Sequence, residues 1–503
     1  MKNKFLKFSA IAPAVAIMAF ALTCKSKKEP VPDVPAQEDP VQFVTPEHRE
    51  FTFTGDGVTA YTKVGVSFTP TFAVAADAPA WDVVSKPEQS WLIVTKTDNT
   101  FTLSVAAHAG DGQLGPATVT VTAPPEQPVV ITVGKDAVFE YSGYMPAGSW
   151  QAGGIVDMAL FSNGDGRPAW TQENFKPYLT WTNPDTQKEE WLFDGFQFNE
   201  GECINYGFSY NAAKPATKVN SLHYLDFLTF DRDISIGALD KAVGATIQRL
   251  GDPPRPRRVV IMLYDPPPPQ VNEASVNWGE LNGKPLDFNN TEDRIAAVKW
   301  WVDEVIARWD RGAYKNLEFA GFYWHRENVY YWAYDYELDK KFIQECIQYI
   351  HGLGKRVFWI PYWEAKGNEE WKQIGFDVAF QQPNHQFDIT VPDSRVAEAC
   401  NFAESRGMGM ELEFQKELLI DPVTYAPRLW VYLNTFEQSG VWQNAAVAYY
   451  MGANLPNPNI HAYILLSQST DPILVAIYHK MCSIIAERQK RFAVSQNGTI
   501  NHH

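Results

Sequence analysis

The sequence predicts a multidomain protein: an N-terminal immunoglobulin-like β-sandwich followed by a (β/α)8 TIM barrel. Three observations carry this. Residues 45–136 are short alternating runs broken by Gly, Pro, Asp and Asn, the pattern of a small antiparallel sandwich. Residues 140–492 alternate strand runs with helical patterns, the pattern of repeated βα units. Two of these strand runs, 319–327 and 407–414, put apolar side chains on one face and Gly, Tyr, His or Glu on the other. The apolar face suits covering helices, and the polar face suits the inside and mouth of a barrel. At 503 residues and 45% apolar content, the chain can build two or more cores.

The first residues read as targeting rather than fold. Lys2, Lys4 and Lys7 precede an apolar stretch from Phe8 to Leu22, and Cys24 follows Ala21-Leu22-Thr23. Residues 1–24 resemble a bacterial lipoprotein signal, with Ala21 where Leu is usual. The resemblance implies cleavage before Cys24, lipidation of its sulfur, and an exported protein anchored to the bacterial outer membrane on a face left open. The alternative is an ordinary secretory signal or an uncleaved anchor. Residues 25–44 are polar and Pro-rich, a stiff solvated tether.

The sandwich is expected from runs at Phe51–Thr54, Val64–Phe68, Trp91–Thr95, Phe101–Val105, Ala117–Thr122 and Val129–Val133. The stretches from Ser90, Phe101 and Pro116 resemble the BACON domain, although His108 stands where that family usually has Asn. That family is an immunoglobulin-like module of exported glycan-degrading proteins in Bacteroidetes. The resemblance implies either carbohydrate binding or a spacer.

Eight strands are then expected, at 155–161, 193–199, 259–265, 319–327, 357–363, 378–384, 407–414 and 445–452. Helical periodicity lies between them. In 291–310, Ile295, Val298, Val302, Val305 and Trp309 share a face; in 336–354, Leu338, Phe342, Cys346 and Ile350 do. Further helices are read at 393–407, 421–440 and 471–492, and a tail at 493–503. A doubly wound sheet is the runner-up, but no Gly-rich phosphate loop follows the first strand.

Composition narrows the partners. A net charge of -16 opposes nucleic-acid binding, which needs clustered Lys and Arg, and suits neutral glycans. An aromatic content of 14% with 17 Trp supplies stacking faces, although any single Trp belongs more often to the core. The histidines and the scattered cysteines have no metal-ligand spacing, so neither a metal nor another cofactor is expected. Asn163-Gly-Asp165-Gly lacks the later ligands of a calcium loop, and Pro266–Pro269 reads as a rigid rim.

Barrel active sites form at the C-terminal ends of the strands. Those ends carry Asn163 and Asp165, Asn199 and Glu200, Asp265, Glu327, Tyr362-Trp363-Glu364, Gln382 and Asn384, Glu411 and Glu413, and Tyr450. Two acids within a ring of hydroxyls and aromatic faces are the minimum for cleaving a glycosidic bond. The expected sugar ligands are Asp265, Tyr323, His325, Tyr362, Trp363, Gln382, Asn384 and Tyr450, with only one of Tyr362 and Trp363 able to face inward. Trp324 is placed on the helix side by strand parity and left in the core.

Acids ending strands four and seven resemble the clan A glycoside hydrolases. That resemblance implies Glu327 as acid/base and Glu413 as nucleophile, with Arg326 where the clan commonly has Asn. Glu411 lies one pleat deeper than Glu413 and is the alternative nucleophile. The motifs Trp278-Gly-Glu, Leu286-Asp-Phe, Gly321-Phe-Tyr-Trp-His-Arg-Glu327, Gln382-Pro-Asn384 and Gly409-Met-Glu-Leu-Glu413 also resemble the family filed as domain of unknown function 4855. It implies a glycosidase-like barrel and no particular sugar. The expected activity is a two-carboxylate glycoside hydrolase acting on a poly- or oligosaccharide, with retention favoured and inversion left open. A glycan-binding protein on the same fold is its rival, since a barrel can lose catalysis and keep its cleft.

Overall fold

A computed structural model describes residues 51–54, 57–61, 71–73, 81–86, 92–97, 100–105, 117–122, 129–134, 143–149, 151–163, 169–200, 202–203, 208–209, 217–229, 232–267, 277–329, 335–452 and 461–493. Cys24, the tether, the run 64–68, His108, Asp165, Pro268 and Pro269 lie outside the described residues.

The N-terminal region forms two sheets. Phe51–Thr54, Gly57–Tyr61, Val129–Gly134, Ala117–Thr122 and Asp82–Lys86 pair in that order, and Thr71–Ala73, Thr100–Val105 and Leu92–Lys96 form the second. Alternation decides what is buried here. Phe101, Leu103, Val119 and Val121 are fully buried, each two residues from its partner on the same face. One pair departs from the expected antiparallel pattern, since Gly57–Tyr61 runs parallel to Val129–Gly134.

All eight expected barrel strands are present: β1 (Asp157–Ser162), β2 (Gly195–Asn199), β3 (Arg257–Met262), β4 (Leu317–Trp324), β5 (Arg356–Trp359), β6 (Val378–Gln381), β7 (Gly409–Phe414) and β8 (Val447–Met451). They close into one barrel in sequence order, all neighbours parallel, with Val447 of β8 opposite Asp157 of β1. Helices intervene: α1 (Gln172–Leu179), α2 (Ser235–Leu250), α3 (Thr291–Gly312), α4 (Tyr336–Gly352), the single turn α5 (Trp371–Ile374), α6 (Ser394–Arg406), α7 (Pro422–Gln438) and α8 (Pro472–Arg491). Among the described residues no helix is long and apolar enough to cross a membrane.

The helix boundaries follow from capping. Asn290, Asp335, Asp421 and Asp471 each accept a backbone N–H of the first turn of the helix that follows, satisfying donors that have no partner inside the helix. Gly407 ends α6 in the left-handed region, as a C-terminal glycine allows. On α3 the expected face is buried except for the half-buried Trp309, and Trp301 joins it to donate Nε1–H to the Met262 carbonyl at 2.9 Å. On α4 one expectation fails. Leu338 is 52% exposed, while Asp339 is fully buried. The arginines Arg294 and Arg326 reach Asp339 at 3.5 and 3.1 Å, so the helix turns that carboxylate inward and Leu338 outward.

The N-terminal ends of the strands hold a buried ionic lattice. Asp157 accepts from Arg488 Nε at 2.9 Å and Tyr449 Oη at 2.8 Å. Asp194 accepts from Arg255 Nε at 2.9 Å, from the backbone N–H of Val156 and Asp157, and from Gln489 at 3.2 Å. Arg488 also donates to the carbonyls of Val156 and Ala445. Helix α8 is thereby bonded to the start of the barrel. Gly148 belongs to the same lattice: its φ is +68°, and a Cβ there would stand 2.7 Å from Arg255. Buried charges are tolerated when they are paired and hydrogen-bonded in this way.

Cys346, Cys400 and Cys482 are buried and free, and burial pushes the Cys400 and Cys482 thiols up to about 12.

Candidate active site

Strand β4 reaches the mouth through a bulge. Val259 of β3 lies opposite Phe319, but Val260 lies opposite Gly321, so Ala320 is the extra residue. A bulge resets which side chains face inward. Phe319 therefore packs on the helix side against Trp309 and Phe322, each at 5.1 Å. Trp324 is fully buried against Phe342 of α4. Gly321 is required at this point, because a Cβ would come within 2.4 Å of the Arg356 carbonyl oxygen.

Strands β3 to β6 end three or four residues earlier than expected. Residues 325–327, 362–363, 382–384 and Asp265 therefore sit on the loops that follow β4, β5, β6 and β3. Glu327 is exposed by area, yet desolvation raises its carboxyl above the ordinary range, with the Gln382 amide pulling the other way. An accessible acid walled by protein on its remaining sides has both properties.

Glu411 and Glu413 share the inner face of β7, opposite Ala448 and Tyr450 of β8, and are 2% and 0% exposed. Desolvation raises both carboxyls; that of Glu413 is pushed up to about 8. The two differ in what opposes the rise. Glu413 accepts Tyr432 Oη–H at 2.6 Å, and the nearby backbone N–H groups of Asn384 and His385 also pull it down. On Glu411 the further influences are the charges of Glu413 and Glu327, which push it higher. Three carboxyl groups that feel one another cannot all ionise. Of the two on β7, Glu413, which has the donors, ionises before Glu411.

The other expected site residues divide into two groups. Tyr323 is 2% exposed and feels both Glu327 and Glu411, so it forms the floor beneath them. His325 lies 6.2 Å from the Tyr323 ring, and burial lowers it to about 4, leaving it neutral. The Tyr362 backbone N–H donates to the Glu327 carbonyl at 3.3 Å, and its hydroxyl meets Asn328. Gln382 and Asn384 stand between Glu327 and Glu413. Tyr450 lies beside Glu413 at the rim, with the 42% exposed Phe387 ring 5.7 Å away.

Two residues are drawn elsewhere. Asp265 is ion-paired to Arg326 Nε at 2.8 Å, and Arg326 continues to Asp339 on α4. Its carboxylate thus serves a cross-link beneath the helices. Trp363 packs on α6, 6.3 Å from Phe402 and under the Arg395 guanidinium. That settles the adjacent pair, leaving Tyr362 as the ring nearer the cleft.

Sequence reasoning missed Tyr432, His385 and Arg428. Tyr432 is on α7, at the spacing of that helix's buried face with Leu429, Leu433 and Phe436, and so reads as core. Its hydroxyl nevertheless reaches Glu413, and it also accepts the His385 backbone N–H at 3.3 Å. One turn earlier, Arg428 donates to the carbonyls of His385, Asp388 (2.9 Å) and Val391 (3.2 Å). Helix α7 thus holds the loop after β6 against the glutamate of β7.

Among solved structures, the chain is similar to a GH5 xyloglucanase from Bacteroides ovatus, at 12% identity and a TM-score of 0.36, over 84% of this chain and 98% of that one. It is also similar to a GH5-4 broad-specificity endoglucanase from an uncultured bacterium, at 9% identity and 0.35, over 69% and 97%. A tryptophan synthase α-subunit from Pyrococcus furiosus matches at 9% and 0.28, over 67% and 97%. Likenesses this slight carry nothing about activity. No curated protein matches the chain. The family described as domain of unknown function DUF4855 matches residues 157–483, from the first residue of β1 into α8. The chain belongs to that family.

Proposed function

We propose that this protein is a glycoside hydrolase that acts on a poly- or oligosaccharide with Glu327 as acid/base and Glu413 as nucleophile. The observation that carries the reading is the unequal treatment of three carboxyls at one barrel mouth. Glu327 is accessible and raised, as a proton donor must be. Glu413 is held by a hydroxyl and two backbone N–H groups, which favour its ionised form. Glu327 would protonate the leaving oxygen while Glu413 attacks the anomeric carbon. Water would then release the sugar, with Glu327 accepting its proton and the configuration retained. Glu411 would remain protonated and hold the floor with Tyr323. Tyr362, Tyr450 and His325 would meet the sugar. Phe387, exposed beside Tyr450, would extend that surface.

We further propose that residues 45–136 are a BACON-like immunoglobulin-fold module, and that a lipid on Cys24 anchors the protein to the bacterial outer membrane. The pattern of alternating strands and the segment ending at Cys24 support these two assignments. Mass spectrometry of the membrane fraction checks the lipid, and loss of membrane partitioning in Cys24→Ala is the expected result.

The test of function is a digestion screen of the purified protein on plant, algal and host polysaccharides. Release of reducing ends by the wild type, absent in Glu327→Gln and Glu413→Gln, is expected. Binding without cleavage across the screen would replace the enzyme with a glycan-binding protein.

A further inference from the structure

Gln382 and Asn384 have amide donors occupied inside the protein. Gln382 Nε2 donates to the Ile360 carbonyl at 3.0 Å, and the same side chain pulls the Glu327 carboxyl down against its burial. Its Oε1 accepts from Asn384 Nδ2 at 2.8 Å. Asn384 Nδ2 turns its other proton toward Glu413 Oε1, a long contact of 3.5 Å. Asn384 Oδ1 accepts the Trp363 backbone N–H at 2.6 Å. A primary amide has two N–H donors; Asn384 has used both, and Gln382 has one on the Ile360 carbonyl. Neither amide can be flipped, because a backbone N–H only donates and a carbonyl only accepts.

The backbone does further work. Asn384 has φ +50°, a left-handed conformation that Asn tolerates better than most residues. Successive N–H groups around such a residue can converge on one anion. Those of Asn384 and His385 converge on Glu413.

We propose that Gln382 and Asn384 are positioning residues that couple Glu327 to Glu413 across the cleft, and that they are not sugar ligands. The proposal rests on the glycosidase reading and deepens it. Asn384 directs donors at Glu413 and favours its anion. Gln382 favours the Glu327 anion against the burial that disfavours it. Because Asn384 also donates to Gln382, a disturbance at either amide reaches both carboxyls. The other ionisable groups facing this pair are Glu411 on β7, Tyr323 on β4, His325 after β4, Tyr432 on α7 and His385 after β6, with Arg428 beside His385.

The test is a carbon-13 NMR titration of the whole chain labelled at glutamate carboxyls, with Glu327 and Glu413 assigned through their Gln variants. Asn384→Gly keeps the left-handed backbone and removes the amide. Gln382→Met keeps the length and removes the donor. Each variant is expected to raise both titrations, including that of the carboxyl it does not touch, by about half a unit or more. A shift confined to the directly bonded carboxyl, or no shift, overturns the coupling. Asn384→Gly alone decides the matter if Gln382→Met does not fold. On whichever polysaccharide the wild type cleaves, both variants should lower kcat about tenfold and leave KM within about twofold. A raised KM with kcat kept would make them sugar ligands and overturn the proposal. If the wild type cleaves nothing, the glycosidase reading fails while the titration still decides the coupling.

Discussion

The acids at the N-terminal end of this barrel and the paired glutamates of β7 at its mouth are buried by opposite rules. At the N-terminal end, Asp157 and Asp194 are each bonded to an arginine, Arg488 and Arg255, with Gln489 and Tyr449 adding further donors. At the C-terminal end, the donors given to Glu413 are a hydroxyl and amides, and the strongest influences on Glu411 all disfavour its charge. Burial opposes ionisation at both ends; it raises Asp157 as well, with Arg488 pulling it back. The difference is what each end can do next. A carboxylate neutralised by a fixed cation is a structural bolt. A carboxyl without one can take up and release a proton, which chemistry at a barrel mouth requires.

The comparison can be broken most forcefully at the mouth. Glu327→Gln and Glu413→Gln should each lower turnover by about 10²–10⁴-fold while leaving the fold and most ground-state binding in place, measured by initial rates and thermal unfolding. Near-wild-type hydrolysis in both variants would end the two-carboxylate reading. At the opposite end, Arg488→Met leaves Asp157 buried without its cation. It should cost about 3–5 kcal/mol of stability, read by urea unfolding. A loss well below that would mean the lattice adds little to stability.

The pH dependence sharpens the contrast. A carboxyl whose folded value lies above its unfolded one favours the folded state at low pH. That advantage fades as pH rises through the folded value. For Glu413 the window runs from the ordinary glutamate value of 4.5 up to about 8. Stability should therefore decline as pH rises across that window. Glu411→Gln should flatten the decline and raise the melting temperature at neutral pH, checked by calorimetry at several pH values. An unchanged slope would show that the mouth carries no electrostatic cost. The smallest effect is expected at the rim. Phe387→Ala should raise KM severalfold, within about 1–2 kcal/mol for one stacking face, with kcat kept.

The barrel was legible because each strand carries a two-residue period and each helix a three-to-four-residue one. That period also placed Glu411 and Glu413 on the inner face and Trp324 in the core. It failed where the strands stop. Asp265, Tyr362 and Trp363 lie on loops, and a loop has no period to say which way a side chain turns. There the long-range partners decide: Arg326 claims Asp265, and Phe402 with Arg395 claims Trp363. Leu338 was misplaced because a charge pair outweighed a hydrophobic face on the first turn of its helix. Tyr432 was hidden by good camouflage. A tyrosine within a buried helical face is indistinguishable from core until the strand behind its hydroxyl is known.

The lattice at the N-terminal end also bears on how the chain is made. Asp157 and Arg488 are 331 residues apart, and domains generally fold as units while the chain emerges. The first strand therefore leaves the ribosome with a carboxylate whose cation has not yet been translated. Until α8 arrives, β1 lacks that cation even after its neighbour β8 has been made. The last helix is the latch of the fold. A chain truncated before Arg488 should carry all eight strands and every residue of the proposed catalytic cleft, with Asp157 left at the closing seam without its cation.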